Sequence, residues 1–569
     1  MDEIDEMTHL KRRFCLAPGL RAYMVFLLFF SAPVSAENTH FMAWTAADML
    51  LFDSGVSVFR YADFGLGDYP WRFSLPGAVM RVRIDGAPLY GLSPFGPDLD
   101  VVTAVFVDSL VYEQPGVISI RTCTHVPDKP ETMSDFFQGA SQRFRFQGTF
   151  KRKLSAQSAL FLGGSSSGIH GSRDTEAAAF RNYFMKYRQS IEDGGELFIT
   201  ARALRDRDGL RDSMLARQMG DRETDMINLA AGVSDLPLTG RTTVSPVVYY
   251  QSGISRFRRY GLRKSLDDDG FGFSCDASSR FGAGIIALTA SSDIRTIDSR
   301  IHGKSWQRDD SRLTVSWRNS GDRLRYGMYG GVLHSSRFGT GGSGGGEVTV
   351  RMAPSVSLSV RGALGDEFPD AGMEVYSALA FSDSLSVPHL SMCRFRELES
   401  GISGCRGAIS WGLFGFRSGG RLPVFSPETA LCSTGDDETF SGTRFFLALE
   451  RDARYHVDVR AYYCHPGDTD RFNPYPTFEC VSRGGVVRMF LQDKLKSTFY
   501  GSLRVSGWDG SMTPDKTALF IDTGASFDVM SLSLFINVQN VSGEHVKWFD
   551  TYGWPGINTI WGVRWKLDD

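Results

Sequence analysis

Two stretches near the carboxyl end, Met530-Ser-Leu-Ser-Leu-Phe-Ile-Asn-Val538 and Thr559-Ile-Trp-Gly-Val-Arg-Trp-Lys-Leu567, decide the fold class. In the first, Met530, Leu532, Leu534, Ile536 and Val538 fall on one face, with Ser531, Ser533, Phe535 and Asn537 on the other. In the second, Trp561, Val563, Trp565 and Leu567 oppose Gly562, Arg564 and Lys566. A two-residue repeat is that of a β-strand. A soluble sandwich would bury the greasy face in a core, whereas a membrane barrel turns it to lipid and leaves the small and charged face to the lumen. The hairpin alone suits both, and the rest of the chain chooses.

At the amino end, Lys11, Arg12, Arg13 and Arg21 precede the apolar run Tyr23-Met-Val-Phe-Leu-Leu-Phe-Phe30, which leads into Ser31-Ala-Pro-Val-Ser-Ala36. Basic, apolar and small residues in that order read as a secretory signal at residues 1–36, with cleavage expected after Ala36. The run is too short for a membrane anchor, which needs about 20 apolar residues. The acidic opening Met1-Asp-Glu-Ile-Asp-Glu6 is unusual for such a signal and leaves Met7 as an alternative start. Cys15 lies before the apolar run, so no lipoprotein cysteine follows it. No later apolar run reaches spanning length. The mature chain is therefore either soluble and exported or a barrel, the other structure that satisfies every backbone polar group in lipid.

Composition favours the barrel. Glycine occupies 61 of 569 positions, well above the usual ~7%. The 42 Phe, 19 Tyr and 10 Trp enrich the chain in aromatic residues without a long hydrophobic block. Tight turns use glycine and interfacial girdles use aromatics. The net charge of −3 gives no sign of a nucleic-acid partner. Seven cysteines follow residue 36, an odd number that leaves at least one thiol free. Cys464 and Cys480 flank a proline-rich loop, and Cys393 and Cys405 bracket a short polar stretch; each pair either closes a disulfide or stands as isolated thiols on strands. No metal-ligand spacing, G-x-S-x-G elbow, P-loop or H-E-x-x-H occurs, so neither an enzyme nor a metal or other cofactor is expected.

Residues 37–122 read as a small mixed domain. Thr45-Ala-Ala-Asp-Met-Leu-Leu51 has the cap and apolar spacing of a short helix, and Gly55–Phe59, Arg81–Ile84 and Gly116–Arg121 read as strands. Residues 123–569 are repetitive, with alternating segments such as Gln142–Phe146, Leu313–Trp317, Val356–Val360 and Phe445–Leu449 separated by Gly, Asp and Ser turns. The charged stretch Arg205–Asp225 and the glycine–serine stretch Gly339–Glu347 read as mobile loops.

An ordered set of short matches resembles the TonB-dependent outer-membrane receptors. Ala47-Asp-Met-Leu-Leu51 with Gly55-Val-Ser-Val58 is similar to the opening helix and first strand of that family's plug. Arg83-Ile-Asp-Gly-Ala-Pro-Leu-Tyr-Gly91 resembles its D-G-x-P-L turn, carried here by Asp85, Gly86 and Pro88. Asp98-Leu-Asp100 resembles the segment after that turn, and Gly116-Val-Ile-Ser-Ile-Arg-Thr122 the strand leading into the barrel. Phe535–Asn540 and Tyr552-Gly-Trp-Pro-Gly-Ile557 resemble the closing hairpin, with Asn540, Tyr552, Gly553, Pro555 and Gly556 as markers. These residues mark the fold and are not offered as ligand contacts. Asp-Gly is a favoured two-residue turn in any hairpin.

The resemblance implies an all-β transmembrane barrel with a small mixed α/β plug (residues 37–122) in the lumen of a barrel formed by residues 123–569. Those 447 residues, divided among about 22 antiparallel strands, give about 20 residues per strand and connection; longer loops would leave about 18 or 20 strands. It further implies the bacterial outer membrane, contact with its lipid, an extracellular ligand gated by the plug, and a TonB-like energy-transducing partner. Glu37-Asn-Thr-His-Phe41 is a degenerate version of the partner-binding box, with Glu37, Thr39 and Phe41 as its candidate residues, and would act as an added edge strand. The chain departs from the pattern where Glu113-Gln-Pro115 replaces a longer stretch, where Leu75-Pro-Gly77 replaces an arginine-glycine element, and where the last strand ends Trp565-Lys-Leu-Asp-Asp569. These departures leave a second reading open, a plugged barrel acting as a surface adhesin or structural protein without active transport.

Overall fold

A strand with an apolar face and a polar face, repeated along a chain, closes on itself when both faces find a matching medium, because closure leaves no unpaired edge. The computed structural model describes residues 45–50, 57–60, 68–71, 80–90 and 97–568, other than 115, 124, 140–142, 170–177, 193, 209–220, 260–261, 300–303, 370–389, 427–430, 452–453, 467–475, 509–516, 545–546, 549–551 and 554–556. Residues 131–568 form a closed antiparallel barrel of 22 strands. One wall strand is interrupted at Asp235, whose φ is +53°, between Asp221–Ser234 and Leu236–Thr239. The last strand, Asn558–Asp568, pairs with the first, Glu131–Gly139, and closes the ring.

The alternation of the closing hairpin sorts as its chemistry requires. Trp561 and Trp565 are 48% and 52% exposed, while the inward Phe535 and Asn537 are 9% and 7% exposed. The seam itself is tied by the Arg564 guanidinium, which donates to both carboxylate oxygens of buried Asp135 at 2.8 and 3.0 Å. Gln147 Nε2 donates to the same carboxylate at 2.7 Å. Wall strands reach 20 residues at Leu262–Phe281 and 21 at Leu431–Arg451. About 10 residues suffice to cross a bilayer, so such strands project well beyond it. Tight turns such as 282–283, 407–408 and 530–531 share one end of the barrel with both of its termini.

Inside lies a mixed unit. Helix α1 (Ala46–Leu50) precedes β1 (Ser57–Arg60), β2 (Asp68–Trp71), β3 (Arg81–Ile84), β4 (Ala87–Leu89), β5 (Val107–Gln114) and β6 (Val117–Thr122). Thr45 and Asp48 cap α1 reciprocally, each side chain accepting from the other's backbone N–H, at 3.3 and 3.1 Å. The sheet order is β4-β3-β6-β5, with β3 and β6 parallel and the other neighbours antiparallel. Val82, Leu89, Ile118 and Ile120 pack with Ala46, Leu50 and Leu99 into a core that Phe180, Leu204 and Met226 of the wall complete. Among the described residues no helix is long and apolar enough to cross a membrane.

One expected loop, and the two described ends of another, are instead wall. Gly339–Ala353 is a strand paired on both sides, with Leu324–Ser335 and Val356–Glu367. In a closed barrel both neighbours supply the backbone bonds, so a strand can form with little help from its side chains, and the Tyr329 ring covers Gly345. The charged stretch also continues as strand to Asp208 and resumes at Asp221. Arg205 lies opposite Asp225, and Arg207 opposite Glu223, and opposite charges directly across a ladder attract. Cys123, Cys275, Cys393, Cys405, Cys464 and Cys480 are all free thiols, so neither candidate disulfide forms.

Candidate functional site: the gap between plug and wall

The period of β3 divides its side chains. Val82 enters the plug core and Ile84 packs against it, whereas Arg81 and Arg83 line the gap between plug and wall. That gap differs from one sector to another.

On one side the plug is latched to the strands Ser158–Ile169, Ala178–Ser190 and Glu196–Asp208. Asn182 Nδ2 donates to the Val101 carbonyl at 3.1 Å and to Thr103 Oγ1 at 3.3 Å. Thr103 Oγ1 lies 3.0 Å from Ser165 Oγ, and Arg202 also donates to the Val101 carbonyl. Lys186 Nζ reaches the Thr122 carbonyl at 2.6 Å and the Asp85 carboxylate at 3.1 Å. Phe106 stacks on Phe184 with centroids 4.9 Å apart. A Cβ at Gly163 would sit 2.2 Å from the Phe106 ring, so the absent side chain makes that socket.

From the latch strands round to the neighbouring wall, the gap opens into two cavities. The outer one, about 80 Å³, lies between β3, β4 and the wall and is lined by Arg81, Tyr90, Asp293, Arg295, Arg312 and Glu367, among others. Glu367 accepts from Arg312 at 3.0 Å and faces Arg81 at 3.5 Å, while the Arg295 guanidinium lies 4.4 Å from the centre of the Tyr90 ring. Burial pulls the Arg81 guanidinium down to about 9, and the nearby Arg312 adds to the shift despite Glu367. Burial, followed by the charge of Asp293, holds the Tyr90 phenol well above its usual range. The inner cavity, about 860 Å³, lies toward the tight-turn end and includes Arg121, Arg188, Glu196, Asp276 and Arg361 in its lining. The inner space, lined by charges of both signs, suits a hydrated, charged solute better than a greasy one. Among the described residues no cluster of three His, Cys, Asp or Glu side chains could hold a metal ion.

The anticipated markers fall at distinct places. Asp85 and Gly86 form the turn between β3 and β4, with φ of +49° and +85°. Asp85 Oδ1 accepts from the Thr122 N–H at 2.9 Å, and Thr122 Oγ1 also donates to this carboxylate. Pro88 is in β4, and Gly116, with φ of +81°, turns the chain into β6. Asn540 has φ of +50°, and its Nδ2 donates to the Glu544 carbonyl at 2.8 Å. Tyr552 and Gly553 form a two-residue strand pairing with Lys547–Trp548. Glu37, Thr39, Phe41, Pro555 and Gly556 lie outside the described residues. Of the described markers, Asp85, Gly86 and Pro88 reach the gap, whereas Asn540, Tyr552 and Gly553 belong to the barrel's own connection. The residues that hold the plug, Asn182, Lys186, Arg202 and Glu367, were not singled out in the sequence, although each is a polar residue at an inward position of a wall strand.

A closed 22-strand barrel holding a small mixed sheet is the architecture of TonB-dependent outer-membrane receptors. Three solved structures share it with this chain. The copper transporter OprC superposes with a TM-score of 0.76 at 12% identity, covering 93% of this chain and 97% of its own. The FrpB iron transporter from Neisseria meningitidis gives 0.73 at 11% identity, with 92% and 97% covered. The siderophore receptor PirA from Pseudomonas aeruginosa gives 0.71 at 12% identity, with 94% and 99% covered. No protein-family model and no curated protein sequence matches the chain.

Proposed function

We propose that this chain is an outer-membrane receptor and transporter whose plug gates uptake of a scarce extracellular ligand. The observation that carries the reading is the seating of the plug: a folded unit is latched by buried bonds to one wall sector, and a charged cavity extends from that sector along the neighbouring wall. A purely structural barrel has no need of such asymmetry. The polar cavities, together with neighbours that carry iron, copper or siderophores, support a metal ion or its chelate as cargo, and this reading gives the chain no catalytic step. We assign residues 1–36 to the export signal, 37–122 to the plug and 123–569 to the barrel, with Glu37, Thr39 and Phe41 as the docking strand for a TonB-like partner.

Uptake of copper(II) and of ferric siderophores by cells producing the protein tests this, with and without the energy-transducing partner. Replacing Thr39 by proline removes a backbone donor and disfavours an added strand, so it is expected to abolish energised uptake and leave binding at the cell surface unchanged. Equal uptake by Thr39→Pro and wild type would exclude the docking assignment. Absence of uptake for every cargo tried would favour the adhesin reading.

A further inference from the structure

The two cavities are separated by very little. Arg83 and Gly86 line both, Val247 lines the inner one and Ser274 the outer one. Val247 and Ser274 are direct partners across two wall strands. The tip of the β3–β4 turn closes against this pair: Ser274 Oγ donates to the Gly86 carbonyl at 3.1 Å, and a Cβ on Gly86 would lie 3.0 Å from Val247 Cγ2. The thin contact thus lies on the strands Thr242–Arg259 and Leu262–Phe281, beside Asp85, whose pair with Lys186 borders the inner cavity.

We propose that solute passes along this sector, that the contact of Gly86 with Val247 and Ser274 is the closed constriction of the path, and that Arg83 selects the charge of what passes. Passage then needs a small displacement of one hairpin tip, which the neighbouring Asp85–Lys186 pair anchors when it is closed. Arg83 lies where the two cavities meet, with Arg81 toward the outer cavity and Arg121 and Arg361 toward the inner one. A guanidinium at a narrow passage favours anions, because a site of low effective dielectric strengthens its attraction for them. This proposal rests on the transport reading, but its test needs only a plugged barrel and inorganic ions.

The test is the ion conductance of the full chain in planar bilayers under a potassium chloride gradient, on protein whose folding is verified by heat-modifiable migration. Val247→Ala combined with Ser274→Ala removes the side chains that meet Gly86 and is expected to raise conductance severalfold, with chloride preferred. Adding Arg83→Glu should move the reversal potential toward potassium. Ser165→Ala, on the latched side, should conduct as the wild type does. A second pair, Gly86→Cys with Val247→Cys, places Cβ atoms 3.7 Å apart, within disulfide range; its oxidised form should conduct less than its reduced form. The proposal is overturned if the trimmed and wild-type proteins conduct alike, if Arg83→Glu leaves the reversal potential in place, if Ser165→Ala opens the barrel equally, or if oxidation of the cysteine pair has no effect.

Discussion

Asp85 and Lys186 show how one ion pair seats a domain. Their side chains are 7% and 4% exposed, they lie 3.1 Å apart, and Thr122 holds the carboxylate from its other side. Breaking a buried pair by removing one partner strands the remaining charge and typically costs about 3–5 kcal/mol, whereas removing both costs much less. Lys186→Met is therefore expected to loosen the plug by about 3–5 kcal/mol, read as faster amide exchange in residues 81–89 and 117–122 with the wall strands unaffected. Combining it with Asp85→Asn should restore part of the protection. Additive losses in the double variant would show that the two charges act independently. None of this pairing is visible in the sequence, because Lys186 is one of many charges on alternating strands. The Asp85-Gly86 turn was legible, since only a few residue types accept left-handed backbone geometry.

Among elements, the strands that lock plug to wall and wall to wall give two contrasts. Gly163→Val would drive a side chain into Phe106, and such overpacking costs about 1–3 kcal/mol. The plug should therefore melt at a lower temperature in Gly163→Val, and Phe106→Ala in the same chain should relieve the clash, both measured by near-ultraviolet circular dichroism. At the seam, Arg564→Met leaves the Asp135 carboxylate buried with Gln147 as a much weaker partner. Heat-modifiable migration should then be lost at a lower temperature than in the wild type, and an unchanged transition would mean that backbone pairing alone closes the ring.

The closing hairpin was readable because its alternation is unbroken and its two faces differ sharply, from Trp561 and Trp565 outward to Phe535 and Asn537 inward. Gly339–Ala353 was misread for the opposite reason. Glycine and serine there carry no facial pattern, and the bonds that make the segment a strand come from neighbours on both sides. The two ends of Arg205–Asp225 were misread because charges that suggest a solvated loop can pair across strands, a register the local sequence does not reveal. The cavities were illegible for a related cause, since Arg83, Val247, Ser274 and Glu367 meet only after the barrel closes.

For the molecule as a whole, girth and filling belong together. A ring of 22 strands is wide enough to leave an open channel unless a domain fills it, and the helix and four-stranded sheet of the plug are that filling. Their shared core with Phe180, Leu204 and Met226 makes plug and wall one packed body there, while the cavities separate the plug from the neighbouring wall. The bilayer conductance of the chain lacking residues 37–122, set beside that of the full chain, tests this account most directly. A barrel that still shows heat-modifiable migration and conducts far more than the full chain is the result predicted; equal conductance of the two folded forms would contradict the placement of the plug as the lumen's seal.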